Sequence, residues 1–422
     1  MNFKLNNSVE LIGSTSKIYD HSVGYHDIKP FNKVNDKLIH LHRYPLNNTN
    51  QSNNLKVDIC LWDYQSSIVE KIDETNAWSW EQGSRLQWLN ENELIFNKII
   101  EEKLISCIYN IYDKKKLILN NPIYSISHKN EKFLNINYSR LWNFWKNYGY
   151  DLKNKNQNFE QKPTKDGVFL CDFNNNKKLV LSINDAVELC KLQNINKTFF
   201  ITHPTFSPTG DKFVSLLRFF NDTGILISYF ICTNLNNSKS QVLARERVSH
   251  FEWINNDSIV VWSRNLSPSL EKVRFNRFLE KYFIANVKKI IKILSPKFQQ
   301  KILSTHYHLI NLNNPNKVTK LDKDILTEDG HPQISENKKY LITDTYANSL
   351  GFQKLMLYDI EKNKTHDIGE FKVAEYLPNN NLKYDLHPRW NFKGNLISID
   401  SSHEGSRQSY VINIEKLIKK IN

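Results

Sequence analysis

Between His203 and Arg218 the chain reads HPTFSPTGDKFVSLLR: a short strand, a polar turn, then a longer alternating strand. The same unit returns as HPQISENKKYLITDTY (His331 to Tyr346) and within DLHPRWNFKGNLISIDSSHEG (Asp385 to Gly405). A unit that recurs along a chain cannot bury its apolar face alone, so its copies must stack on one another. Alignment on one apolar residue of the opening strand gives seven anchors: Phe31, Trp88, Ile126, Phe206, Trp253, Ile334 and Trp390. The second strands are rich in Val, Ile, Leu and Phe, and the turns carry Asn-Asp, Gly-Asp, Asn-Lys and Lys-Gly, as tight hairpins require. Most units continue into further strands, such as FQKLMLYDI and RQSYVINI. Seven units of four strands predict an all-β chain, a seven-bladed β-propeller spanning residues 1–422 as a single domain. A β-sandwich or two unrelated β domains is the alternative.

One segment breaks the pattern. In Glu271 to Leu303, Phe275, Phe278, Phe283, Val287, Ile290, Ile291 and Leu294 follow a helical period. The spacing predicts a basic helical insertion over 271–303, after the second strand of the fifth unit. Residues 270–303 hold nine Lys or Arg against two acids, about half of the chain's net charge of +13. The remainder is only mildly basic, which argues against a general nucleic-acid surface. The insertion either packs on the side of the propeller or docks an acidic protein or an anionic membrane surface. A shorter helical turn is expected in Tyr138 to Tyr150. Five scattered cysteines without a CxxC pair exclude a disulfide scaffold and a zinc knuckle. Without a signal-like or membrane-spanning apolar run, the expectation is a cytoplasmic protein.

The alignment also locates chemistry. Three residues before the anchor, units four to seven all carry histidine: His203, His250, His331 and His387; unit two carries Arg85. That position opens the innermost strand of a blade, beside the central channel. Each imidazole could pin its own blade to a carbonyl, but four in succession on one rim read as a site. Neutral imidazole binds transition metals and acts as a base near neutral pH. His331 and His387 with Asp385, or with Asp344, suit a divalent metal, Mn²⁺ or Zn²⁺. A second cluster is aromatic and polar: Trp80, Gln82 and Arg85 before Trp88, Tyr138 and Tyr150 after the third unit, and Tyr25 before the first. Such residues either bind sugar rings and their carboxylates or fill core beneath a loop.

The seven units, His250, His331 and YDLHPRW (Tyr384 to Trp390) resemble the propeller family that includes oligogalacturonate lyases, and more distantly ulvan lyases. The resemblance implies a divalent metal, usually Mn²⁺, held by histidines of the later blades, partly through a Gln-x-x-His-x-His stretch. It leaves His331 and His387 in ligand positions, with Tyr384 where the Gln would be and Arg389 where the second His would be. It also brings His250 near the histidine that abstracts the proton. The implied reaction is β-elimination at a uronate, which needs a neutralised carboxylate and a base for the acidified C–H. Arg218, Arg389 or Arg85 would neutralise, His203 or His250 would take the proton, and Tyr138 or Tyr150 would protonate the leaving oxygen. Two functions stay open: a lyase on an acidic oligosaccharide, and a non-catalytic propeller that binds a glycan or protein partner.

Overall fold

Each of the seven anchors pairs with an apolar residue of the strand that follows it. The pairs are Phe31 with Ile39, Trp88 with Leu94, Ile126 with Phe133, Phe206 with Phe213, Trp253 with Ile259, Ile334 with Leu341 and Trp390 with Ile397. The computed structural model describes residues 2–45, 55–127, 129, 131–152, 158–264, 305–322, 324–374 and 384–422. They form seven antiparallel sheets, a seven-bladed propeller. Numbered in chain order, the fourth blade is β15 (Phe200–Phe206), β16 (Lys212–Phe220), β17 (Leu226–Asn234) and β18 (Ser240–Glu246). The others repeat this inner-to-outer order.

The ring closes by pairing the chain's two ends. Strand β2 (Glu10–Ser14) lies outside β29 (Gln408–Asn413), so the last blade takes its outermost strand from the N-terminal part of the chain. The sixth blade departs from the expected four strands: β1 (Phe3–Leu5) adds a fifth, paired with β26 (Lys364–Lys372). Blades hold together through apolar faces. Leu341, Met356 and Tyr358 of blade six pack on Val260, Trp262 and Tyr307 of blade five. Around these, alternate residues of each strand face a neighbouring blade, which is why both faces of most inner strands are buried.

The first blade is irregular. Its inner strand is β3 (Asp20–Ser22), and Phe31 rejoins the sheet only through its single bridge to Ile39. The residues between them leave the blade for the axis. Helix α1 (Tyr138–Phe144) provides the expected short helix, capped by Asn137, whose side chain accepts the Arg140 N–H at 3.0 Å. The expected basic insertion lies outside the described residues; its flanking strands β20 (Ser258–Arg264) and β21 (Thr305–Asn311) pair Arg264 with Thr305. Among the described residues, no helix is long and apolar enough to cross a membrane.

Candidate active site at the propeller axis

In each blade the first strand begins, and the second ends, at one end of the ring. The repeated position three before the anchor therefore opens on that end. His203, His387 and Arg85 all occupy it with positive φ (55°, 43° and 57°). A non-glycine residue in this region costs roughly 1–2 kcal/mol and persists where the surroundings hold it. At His203 the register of β15 against β16 also slips between Thr202 and Thr205, a bulge that re-aims the side chain.

The four histidines converge. The rings of His250 and His331 lie 4.2 Å apart, and those of His331 and His387 4.3 Å. Two of them are oriented by carboxylates. His250 Nδ1 stands 3.0 Å from Asp329 Oδ1, and His331 Nδ1 2.9 Å from Asp344 Oδ1. A carboxylate only accepts, so beside Asp329 the His250 Nδ1 carries the proton and Nε2 keeps a lone pair; at His331 the same holds while Asp344 is ionised. The second dyad follows from hairpin register: Gln333 faces Ile342, so His331 falls opposite Asp344. Gly330 makes room for it, because a Cβ there would meet the Asp344 carbonyl oxygen at 1.9 Å. Asp344 also accepts the backbone N–H groups of His331 and His387. Burial pushes its carboxyl up to about 7. Burial drives His203, His331 and His387 well below the usual imidazole range, so they are neutral near pH 7.

The excursion of the first blade fills the middle of this ring. Gly24, with φ of 116°, takes a turn that favours glycine and carries Tyr25 and His26 inward. The Tyr25 hydroxyl lies 3.2 Å from His203 Nε2, and its ring is 5.1 Å from that of His387. His26, which the sequence placed in the GYHD stretch (Gly24 to Asp27) of the aromatic cluster without a role of its own, places its ring 5.3 Å from His331 and donates Nδ1–H to the Pro332 carbonyl at 3.1 Å. Arg389 holds this loop by donating to the carbonyls of Gly24 and Tyr25, with Asp400 3.2 Å away.

Charge balance separates the arginines. Arg85 makes a two-pronged ion pair with Asp27 (3.0 and 2.8 Å), Arg140 pairs with Asp166, and Arg389 with Asp400. Arg218 is 4% exposed and has no acidic partner among the described residues. Its Nε donates to Ser228 Oγ at 3.1 Å, its guanidinium lies 4.6 Å over the Trp145 ring, and one terminal nitrogen has no hydrogen-bond partner among the described residues. Trp145 stacks on Tyr148 at 3.9 Å, and Tyr148 lies 5.4 Å from His203. Thus an uncompensated buried cation borders the histidine ring on one side.

Opposite sits an acidic group. One donor atom each of His331, Asp385 and His387 lie within 4.8 Å of one another. Both ring nitrogens of His387 are buried without a hydrogen-bond partner among the described residues. Two imidazoles and a carboxylate with such an orphan fit a divalent transition metal. Burial, then the Glu81 charge, pushes the Asp385 carboxyl well up, the strain that a cation would relieve.

The remaining expected residues lie behind this ring. Tyr138 and Tyr150 stack on each other at 4.3 Å; the Tyr138 hydroxyl donates to the Ile123 carbonyl at 2.6 Å, and that of Tyr150 accepts from Asn97 at 3.0 Å. Gln82 donates to the Tyr124 hydroxyl, and Trp80 packs 5.0 Å from Tyr384. Asp329 was missed although it stands two residues before His331, and Tyr346, two after Asp344, was missed because its strand has already ended.

No family model matches this sequence, and no curated protein does. Among solved structures, the chain is similar to an oligogalacturonate lyase in complex with manganese: 10% identity, TM-score 0.64, over 99% of this chain and 96% of that one. It is also similar to an oligogalacturonate lyase from Vibrio parahaemolyticus: 9% identity, TM-score 0.59, over 98% and 96%. At this identity the likeness concerns architecture, and the chain has the seven-bladed propeller fold of the oligogalacturonate lyases.

Proposed function

We propose that this protein is a lyase that cleaves a uronate-containing oligosaccharide by β-elimination. The observation that carries the reading is Arg218, a buried guanidinium without a carboxylate partner among the described residues, beside neutral His203 and the Tyr25 hydroxyl that bonds it. Leaving a charge buried and unpaired costs several kcal/mol, and a ligand carboxylate would relieve it as a two-pronged acceptor.

Elimination removes the proton on the carbon next to the uronate carboxyl, and neutralising that carboxyl acidifies the C–H. Arg218 would supply part of the neutralisation. His250 is the better base, because Asp329 fixes its tautomer and leaves Nε2 free to accept. His203, hydrogen-bonded to Tyr25, would orient the sugar acid. His331, His387 and Asp385 would hold Mn²⁺ or Zn²⁺, which when bound supplies further positive charge at the carboxylate. The five cysteines are buried and form no disulfide, which supports a reducing, cytoplasmic setting.

The test is incubation of the protein, with and without Mn²⁺ or Zn²⁺, with a panel of uronate oligomers, following ultraviolet absorbance of the conjugated product. Rising absorbance that is lost in His250→Ala supports the lyase. Saturable binding of the same oligomers without any product would replace it with the non-catalytic glycan-binding reading.

A further inference from the structure

Elimination needs a group to protonate the departing oxygen, and the two tyrosines expected for that role have their hydroxyls engaged in the core. Tyr25 and Tyr148 border the ring but are buried. Tyr346 differs from all of these. It is 43% exposed, while its ring lies 6.4 Å from that of His250 and 5.8 Å from that of His331. Its hydroxyl makes no hydrogen bond among the described residues. The tether is short, since Asp344, whose carboxylate orients His331, lies two residues earlier at the end of β24 (Tyr340–Asp344). The Thr345 N–H donates to the Lys354 carbonyl at 3.0 Å and fixes the backbone between them. A free phenol at the open side of a fixed His–Asp pair is accessible to a bound sugar, and is protonated at neutral pH.

We infer that Tyr346 is a catalytic residue, the general acid of the proposed elimination; this rests on the lyase reading. His250 Nε2 takes the proton from the carbon beside the carboxyl. That electron pair forms the new C=C bond as the neighbouring C–O bond breaks. The departing alkoxide takes the phenol proton of Tyr346, and the imidazolium and phenolate return to their starting forms by proton exchange with water. The net change moves one proton from carbon to the leaving oxygen, with no redox partner.

Tyr346→Phe removes one exposed hydroxyl and should leave the melting curve in place. Two substrates separate the roles: a uronate oligosaccharide, whose leaving group is a sugar alkoxide, and a uronide carrying fluoride at the leaving position, which departs without a proton. Expected is a loss of about 10²- to 10⁴-fold in kcat on the oligosaccharide with KM nearly unchanged, and near-wild-type fluoride release. Wild-type turnover of the oligosaccharide by the variant, or equal loss on both substrates, overturns the assignment alone. A wild-type protein that eliminates from neither substrate overturns the lyase reading, and the assignment with it.

Discussion

Replacing Arg218 by methionine should stabilise the fold and destroy ligand binding at once. Met matches the apolar stem of Arg218 and removes a buried charge that no acid among the described residues balances. The unpaired ion costs several kcal/mol in desolvation. Against that, the contact over Trp145 is worth about 0.5–2 kcal/mol and the hydrogen bond to Ser228 about 1.5–3. The net gain is on the order of 2 kcal/mol. Burial lowers the guanidinium from its usual range, which has the same sign: the folded state holds this proton less firmly than the unfolded one. For 422 residues, unfolding entropy scales so that 2 kcal/mol raises Tm by roughly 2 °C. Arg389→Met is the control. It leaves Asp400 with only the more distant Arg407 at 3.9 Å as a cationic partner, releases the Gly24 and Tyr25 carbonyls, and should cost about 3–5 kcal/mol. Thermal and urea unfolding, with and without a saturating uronate oligomer, read both effects. A ligand at 100 times its Kd should add about 2.7 kcal/mol to the wild type and little to Arg218→Met. If Arg218→Met melts below the wild type, or keeps its ligand-induced shift, the anion-site argument is wrong.

Asp329→Asn keeps the shape of the His250 partner but lets the tautomer reverse; kcat should fall about 10²-fold or more with KM nearly constant, and an unchanged kcat would deny His250 the role of base. Calorimetric titration with Mn²⁺ or Zn²⁺ should show one site that His387→Ala or Asp385→Ala weakens at least about tenfold, and unaltered binding would remove these residues from the ligand set. Away from the site, burial lowers His21, His42, His308 and His403 to about 4. A lowered imidazole contributes stability present above its unfolded pKa of about 6.5 and lost as pH falls toward 4, about 1.4 kcal/mol per unit for each such histidine. The buried carboxyls Glu81 and Glu252, raised to about 7, act oppositely over the same range but are fewer. Urea midpoints should therefore drop from pH 6.5 to 4, and a flat profile would contradict this.

The blade pattern was legible because hairpins are local. An apolar anchor, a turn and an alternating strand fix register within about ten residues, and that register alone sets His331 opposite Asp344. The recurrence of histidine three before four anchors likewise follows from the repeat, and the structure gathers those rings at the axis. The first unit was less legible. Its anchor Phe31 was found, but the break that sends Tyr25 and His26 to the axis depends on Arg389, more than 350 residues away, holding the loop carbonyls. The fate of the aromatics was also hidden. Nothing in the local pattern tells Tyr138, which opens α1, and Tyr150 stacked on it from Tyr346, left half-exposed beside His250.

Sequence by itself determined the number of blades, the hairpin registers and which positions open on the axis, since these depend on contacts between near neighbours in the chain. Tertiary structure alone decided which arginine lacks a carboxylate and which tyrosine keeps a free hydroxyl among the described residues, and which loop enters the ring, because charge balance and burial are set by residues brought together only when the propeller closes.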